Sequence, residues 1–520
     1  MKMEEINNAV SDIHQDNTRI AGGSGTQRAN NGNIARKEHF ILLAGAILLG
    51  ILGNILLYEN EPGISIPVFV IAFYGILFAS CGRELKFKPD LPWALSIPVL
   101  LLSLTYLFYS NTFFRILNLL AIPLLIVVQT VLITGNNTYS WHTLSFLVDI
   151  VYGFFYRVFA FIFKPVKVLA SLLPSKARKP GGGVVGKVFL GLLISVPLLI
   201  VVVSLLGSAD KIFESYMNRI PDIFEGIDLG EFFGRAVFFL VIFAAAFSFI
   251  YSLIEKKRPE ASVEGDGSIS LPKIWDKVVV ITVMAIVNVI YLMFVIIQFA
   301  YLFGGADLAA ASYTYSEYAR RGFFELITVT VINFGIMLAS VGFTKMDSGP
   351  ASRFLRSLYS LLVGNTAVML VSAYYRMLLY EDAYGFTDLR ILTQAFMIFL
   401  LVLFGISLLR VWRDGFSLAK PFIIAAVAAF VIINYVNIDA LIAGNNLERY
   451  SKTQKIDVNY LSLLSYDALP EIARFKVMDN DKVAAEIAEL LKFKSEEAKR
   501  NTGWQSFNIS RYRAGRVVNP

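Results

Sequence analysis

Runs of about twenty apolar residues recur along this chain between short polar breaks, and the period-two alternation of a half-buried strand is absent. At a rise of about 1.5 Å per residue, such a run crosses a hydrocarbon core of about 30 Å. A backbone in lipid must satisfy its own N–H and C=O groups, so the runs predict helices. They fall at 40–58, 64–81, 91–110, 113–134, 184–206, 232–254, 277–303, 322–343, 354–376, 389–410 and 418–436. The expectation is an all-α polytopic membrane protein with about eleven transmembrane helices.

Two flanking regions break the pattern. Residues 1–38 are polar and rich in Asn, Gly and Ser, without an apolar leader, and read as a disordered cytoplasmic tail. Residues 437–520 read as a small helical extracytoplasmic domain, with Val483, Ile487, Leu490 and Leu491 on one helix face after a cap at Asp479 or Asn480. That tail is too short and too mixed in charge to bury a large core of its own.

Charge sets the expected orientation. Arg36 and Lys37, then Arg83, Lys86 and Lys88, then Lys164, Lys167, Lys176, Arg178 and Lys179, then Lys256, Lys257 and Arg258, then Lys345, Arg353 and Arg356, and then Arg410, Arg413 and Lys420 fall in every second loop. The positive-inside preference therefore places the N-terminus inside and the tail outside. Between spans four and five, 143–173 is apolar but interrupted by Arg157, Lys164 and Lys167, with a bend at Pro165. It reads as an amphipathic helix pair on the inner leaflet, the alternative being a re-entrant segment or a further span. The organisation is then a tail at 1–38, a four-helix part at 39–134, a cytoplasmic-face region at 135–183, a seven-helix core at 184–436 and the outer tail at 437–520.

Composition agrees: 56% of residues are hydrophobic against 17% charged, with a mean hydropathy of +0.61. The net charge of +7 lies in inter-helix loops rather than on one face, which argues against a nucleic-acid partner. One cysteine, Cys81, and three scattered histidines, His14, His39 and His142, leave no ligand set for a metal or cofactor. The stretch Gly181–Lys187 reads G-x-x-x-x-G-K, but Val188 stands where a phosphate loop needs Ser or Thr, and no strand precedes it. No catalytic acid/base pair can be named.

Two sets of polar residues remain. Asn54, Gln129, Asn288, Gln298, Asn333, Asn365, Gln394 and Asn434 lie within spans and read as interhelical hydrogen-bond glue. Arginines at the outer ends run against the positive-inside preference, most densely at YTYSEYARRGFFEL, Tyr313–Leu326. Tyr315, Glu317, Arg320, Arg321 and Glu325 from this stretch, with Arg376, form the candidate site. Either the arginines pair with acids such as Glu325, Glu381, Asp382 and Asp388 to lock the outer loops, or a guanidinium grips an anionic headgroup.

Five segments carry a resemblance: SADKIF at 208–213, YSEYARRGFFEL at 315–326, SAYYRMLLYEDAYGFTDLR at 372–390, DVNYLSLLSYDALP at 457–470 and FNISRYRA at 507–514. The chain resembles the bacterial membrane family "domain of unknown function 4173", related to the 4153 group. The resemblance implies an architecture and a bacterial cytoplasmic membrane, and it supplies no catalytic residue. Three functions stay open: an envelope scaffold, sensor or assembly component that docks a protein partner through its tail, a secondary transporter of a small solute, or a transferase acting on lipid-linked headgroups at the outer leaflet. Membrane lipids are the partners expected in every case.

Overall fold

The computed structural model describes residues 39–81, 90–143, 145–165, 229–255, 273–303, 323–413, 416–474, 481–500 and 503–517, with scattered positions between 168 and 213. The 1–38 tail, the Gly181–Lys187 loop and most of the 184–206 run lie outside the described residues, as do Asp479 and Asn480.

The described residues are helical, with one isolated bridge between Trp275 and Thr344. The helices are α1 (His39–Leu57), α2 (Ser65–Cys81), α3 (Leu91–Phe108, broken at Leu95), α4 (Thr112–Ile133) and α5 (146–160). They continue with α6 (Leu229–Ile254), α7 (Lys277–Phe303), α8 (Phe323–Phe343), α9 (Pro350–Tyr384), α10 (Asp388–Trp412) and α11 (Ala419–Tyr435). The tail adds α12 (Ile438–Thr453), α13 (Val458–Leu463), α14 (Leu469–Ile472), α15 (Asp481–Ala498) and α16 (Ile509–Ala514). Among the described residues eight helices are long and apolar enough to cross a membrane, or nine if α11 and α12, bent by 57°, form one span. Helix α2, at 17 residues, is apolar but shorter.

The chain divides into two compact units. The first comprises Met1–Ala94, Leu124–Thr138 and Val148–Ser262. In it α1 approaches its neighbours closely through glycine, since a Cβ at Gly50 would stand 2.7 Å from the ring of Phe239 on α6. Asn54 donates to the Arg235 carbonyl at 2.6 Å, and the Arg235 guanidinium pairs with Glu231 and covers the Tyr58 ring. Within 145–165 the chain forms a short helix with a π-turn at Tyr152–Tyr156, and Arg157–Ala160 packs on α6. Arg157 is buried and donates to the Asn136 carbonyl at 2.7 Å.

The second unit comprises Leu95–Pro123, Tyr139–Leu147 and Val263–Pro520. Its axis is α9, which packs on α7, α8 and α10. Pro350 starts this helix at a position where the missing N–H costs nothing, and Gly385, at φ +90°, stops it. Two apolar clusters line the axis, one around Leu355, Tyr359 and Leu362 with Met284 and Phe404, the other around Met369, Ala373 and Met377 with Leu326 and Leu400. The tail buries Ile442, Leu461, Leu469, Ile472, Ile487 and Leu491 together with Phe114 of α4 and Ile391 of α10. Its core is thus shared with spanning helices, as its small size requires.

Candidate functional site

The in-span amides serve as the expected glue. Tyr74 donates to Gln129, Asn288 to the Leu358 carbonyl at 3.1 Å, Asn365 to Asn288 at 3.2 Å and Asn333 to Thr366 at 3.0 Å. Asn118 of α4 donates to Asn434 of α11 at 2.7 Å. Each bond joins two helices in surroundings where an unpaired amide is costly.

Of the candidate residues, Tyr315, Glu317, Arg320 and Arg321 lie outside the described residues. Glu325 is exposed in the first turn of α8. Arg376, half-buried on α9, donates to Gln298 of α7 at 3.3 Å, and the same Gln298 oxygen accepts from Ser372 at 2.8 Å.

The densest polar constructions described in the second unit are two joints between the tail and the turns of the spanning helices. The first is at the α3–α4 turn. Asn111 caps α4 by accepting from the Phe114 amide at 3.1 Å. Asp467 of the tail accepts from the amides of Ser110 at 2.9 Å and Asn111 at 3.1 Å, placing a carboxylate at the positive end of α4. Asp439 accepts from the Asn111 side chain at 3.1 Å and from the Ser465 amide at 3.1 Å, while the Ser465 hydroxyl bonds to both carboxylates. Asn508 donates to the carbonyls of Tyr106 at 2.8 Å and Tyr109 at 2.9 Å. Asp439 and Asp467 are 3% and 4% exposed, so these bonds form away from solvent. Burial, together with the nearby Asp439 charge, holds the Asp467 carboxyl above its ordinary pKa against the opposing pull of its Ser510 and Ser110 hydrogen bonds.

The second joint clasps the α9–α10 turn. Asn446 of α12 makes a reciprocal pair with Phe386, accepting from its amide at 2.9 Å and donating to its carbonyl at 3.0 Å. A Cβ on Gly385 would stand 2.8 Å from the Asn446 oxygen, so both the approach and the positive φ require glycine. Arg449 donates to the Asp382 and Ala383 carbonyls, each at 2.7 Å, and so closes the end of α9. Tyr460 bonds with the amide and carboxylate of Asp388, both at 3.0 Å, and burial pushes its pKa up to about 12. Beside this turn, Glu381 is fully buried and accepts from Gln394 at 2.6 Å, and Arg390 lies 4.3 Å over the Tyr380 ring.

Three of the segments that carry the resemblance therefore meet here, 372–390 with 457–470 through Tyr460 and Asp388, and 457–470 with 507–514 through Asp467 and Ser510. Asp467 and Asn508 fall within the quoted segments 457–470 and 507–514, but no joint role is read for them there, and Asn111, Asp439 and Asn446 fall in none of the quoted segments. A local signal is the polar triplet Ser465, Tyr466 and Asp467 set between the apolar pairs Leu463–Leu464 and Ala468–Leu469. Among the described residues no group of His, Cys, Asp and Glu stands close enough to hold a metal ion.

Apolar helices of spanning length, glued by amides and closed at one end by a polar-jointed tail, define an integral, multi-pass membrane protein. The chain belongs to the family described as "Domain of unknown function (DUF4153)", whose match covers residues 96–475. The match starts within α3 and takes in α4, ahead of the first of the quoted segments at 208–213, and the Asn118–Asn434 and Asp467–Ser110 bonds join those helices to the later ones. No curated protein and no solved structure matches the chain.

Proposed function

We propose that this protein is a non-enzymatic scaffold or assembly component of a bacterial cell envelope, whose spanning helices hold the tail as a docking surface outside the membrane. The carrying observation is that the tail is fastened to two helical turns by buried polar groups and yet leaves Leu463, Phe493 and Trp504 exposed at 79%, 61% and 59%. Large exposed apolar side chains on a rigidly held extramembrane module favour contact with a partner. The basic loops support an inside N-terminus and a tail on the outer face of the cytoplasmic membrane. On that topology the arginine-rich stretch Tyr315, Glu317, Arg320, Arg321 and Glu325, with Arg376, is an outer-face site for anionic or lipid-linked headgroups. The five quoted segments favour the related 4173 group.

The experiment replaces Leu463, Phe493 and Trp504 by Ser in the full chain. Exposed side chains contribute little to folding, so the expected result is an unchanged melting temperature with loss of complementation in a deletion strain. Full complementation by the triple variant overturns the docking reading.

A transporter reading has one observation in its favour, the 57° bend between α11 and α12. The cavity at that bend, lined by Asn111, Arg115, Asn434, Asn437 and Asp467, measures about 20 Å³. That volume suits one water molecule and is too small for a solute. Uptake by reconstituted vesicles that is lost in Asn434→Leu would favour the transporter instead.

A further inference from the structure

The end of the second unit away from the tail joints carries an open groove of about 590 Å³ between the first turns of α7 and the last turns of α8. Trp275, Val279 and Val283 form one wall, Gly335, Ile336 and Ala339 the other. Small residues between helices usually bring the backbones together. Here a Cβ at Gly335 would meet no atom within 4 Å, so the small residues leave a channel instead. Val279 and Val283 stay 61% and 47% exposed along it.

At the mouth, Lys273 donates to the Val341 and Gly342 carbonyls at 3.2 and 2.6 Å, closing the end of α8. An ammonium has a third donor beyond these two. Burial, and after it the like charge of Arg410 on α10, holds the Lys273 pKa below the usual lysine range. The neighbouring charges do not relieve this. Lys277 and Asp347 pair with each other at 2.5 Å, and the Asp276 carboxylate caps α7 by accepting from the Val278 and Val279 amides at 2.7 and 3.3 Å. Lys273 thus stands next in sequence to Ile274 and Trp275 of the groove wall and holds the last carbonyls of α8, with Arg410, in the last turn of α10, near enough to repel it.

We infer that this groove binds an anionic phospholipid, one acyl chain lying along Val279, Val283 and Gly335 and the phosphate bridging Lys273 and Arg410. The two cations repel each other until an anion stands between them, and a guanidinium grips phosphate through paired N–H groups. Basic pockets between spanning helices recognise acidic headgroups by the same charge complementarity. The inference is independent of what the tail docks.

The test is native mass spectrometry of the full chain released from nanodiscs containing phosphatidylcholine and phosphatidylglycerol. The wild-type protein is expected to retain phosphatidylglycerol preferentially, and Lys273→Gln/Arg410→Gln to lose roughly tenfold or more of that preference. Gly335→Leu, which fills the groove, is expected to keep the melting temperature and lose the retained lipid. No headgroup preference in the wild type, or an undiminished preference in the double-charge variant, overturns the proposal. Lys273→Gln keeps N–H donors for the α8 carbonyls and both substitutions lie at helix ends, so the charge variant is read alongside its own melting temperature and holds even if Gly335→Leu fails to fold.

Discussion

The two ends of the second unit are closed by different means. At the tail end, carboxylates and amides buried to within a few per cent take hydrogen bonds from the turns of the spanning helices, Asp467 from Ser110 and Asn111, Asn446 from Phe386. At the opposite end the closing contacts face solvent, Lys277 with Asp347 and Lys273 with two carbonyls, and the groove between α7 and α8 stays open. Buried hydrogen bonds lose the full desolvation cost of the abandoned partner when one side is removed, whereas exposed ion pairs lose little. The tail end is therefore the rigid end, and substitutions should rank accordingly.

The largest effect is expected for Asp467→Ala, which strips the acceptor from two helix-end amides. Each orphaned amide costs about 1–3 kcal/mol, so the tail should become protease-sensitive and the melting temperature in detergent should fall clearly. Asn508→Ala removes donors to the Tyr106 and Tyr109 carbonyls and should destabilise by about 1 kcal/mol or somewhat more, measured by the same melt. Tyr460→Phe keeps the ring and deletes only its bonds to Asp388, for a loss of about 1 kcal/mol. If these three cost no more than a surface change, the contrast between the ends is broken.

Acidity sharpens the contrast. The Asp467 carboxyl binds its proton more tightly in the docked tail than in the unfolded chain, so its contribution is fully present below the ordinary carboxylate pKa. That contribution is lost as pH rises through the higher folded value. Tail protection from proteolysis should therefore weaken from acid toward neutral pH, and Asp467→Asn should flatten the slope. At the other end, Lys277 holds the Asp347 carboxyl well below the usual range, but the carboxyl is exposed. The smallest effect is thus expected for Lys277→Gln, whose melting temperature should match the wild type.

Much of this architecture is legible in the sequence because lipid imposes a simple rule on apolar runs. The expected 277–303 and 389–410 runs lie within a few residues of α7 and α10. Helix α9 exceeds its expected 354–376 at both ends, since helix geometry continues through Arg376, Glu381 and Asp382, where hydropathy falls, until Gly385 breaks it. The joints were harder to read. Asp467 and Ser110 lie 357 residues apart, and no local period relates a tail carboxylate to the amides of a distant turn. Asn446 likewise meets Phe386 across 60 residues, and an Asn in a polar helix gives no sign of its partner.

The most direct test of the fastened tail is hydrogen exchange at Ser110 and Asn111 in nanodiscs, compared between the wild type and Asp467→Ala. Both amides are expected to be protected in the wild type and to exchange on the order of a hundredfold faster in the variant, as the loss of their shared buried acceptor implies. Rapid exchange of these amides in the wild type, or unchanged protection in Asp467→Ala, would contradict a fastened tail.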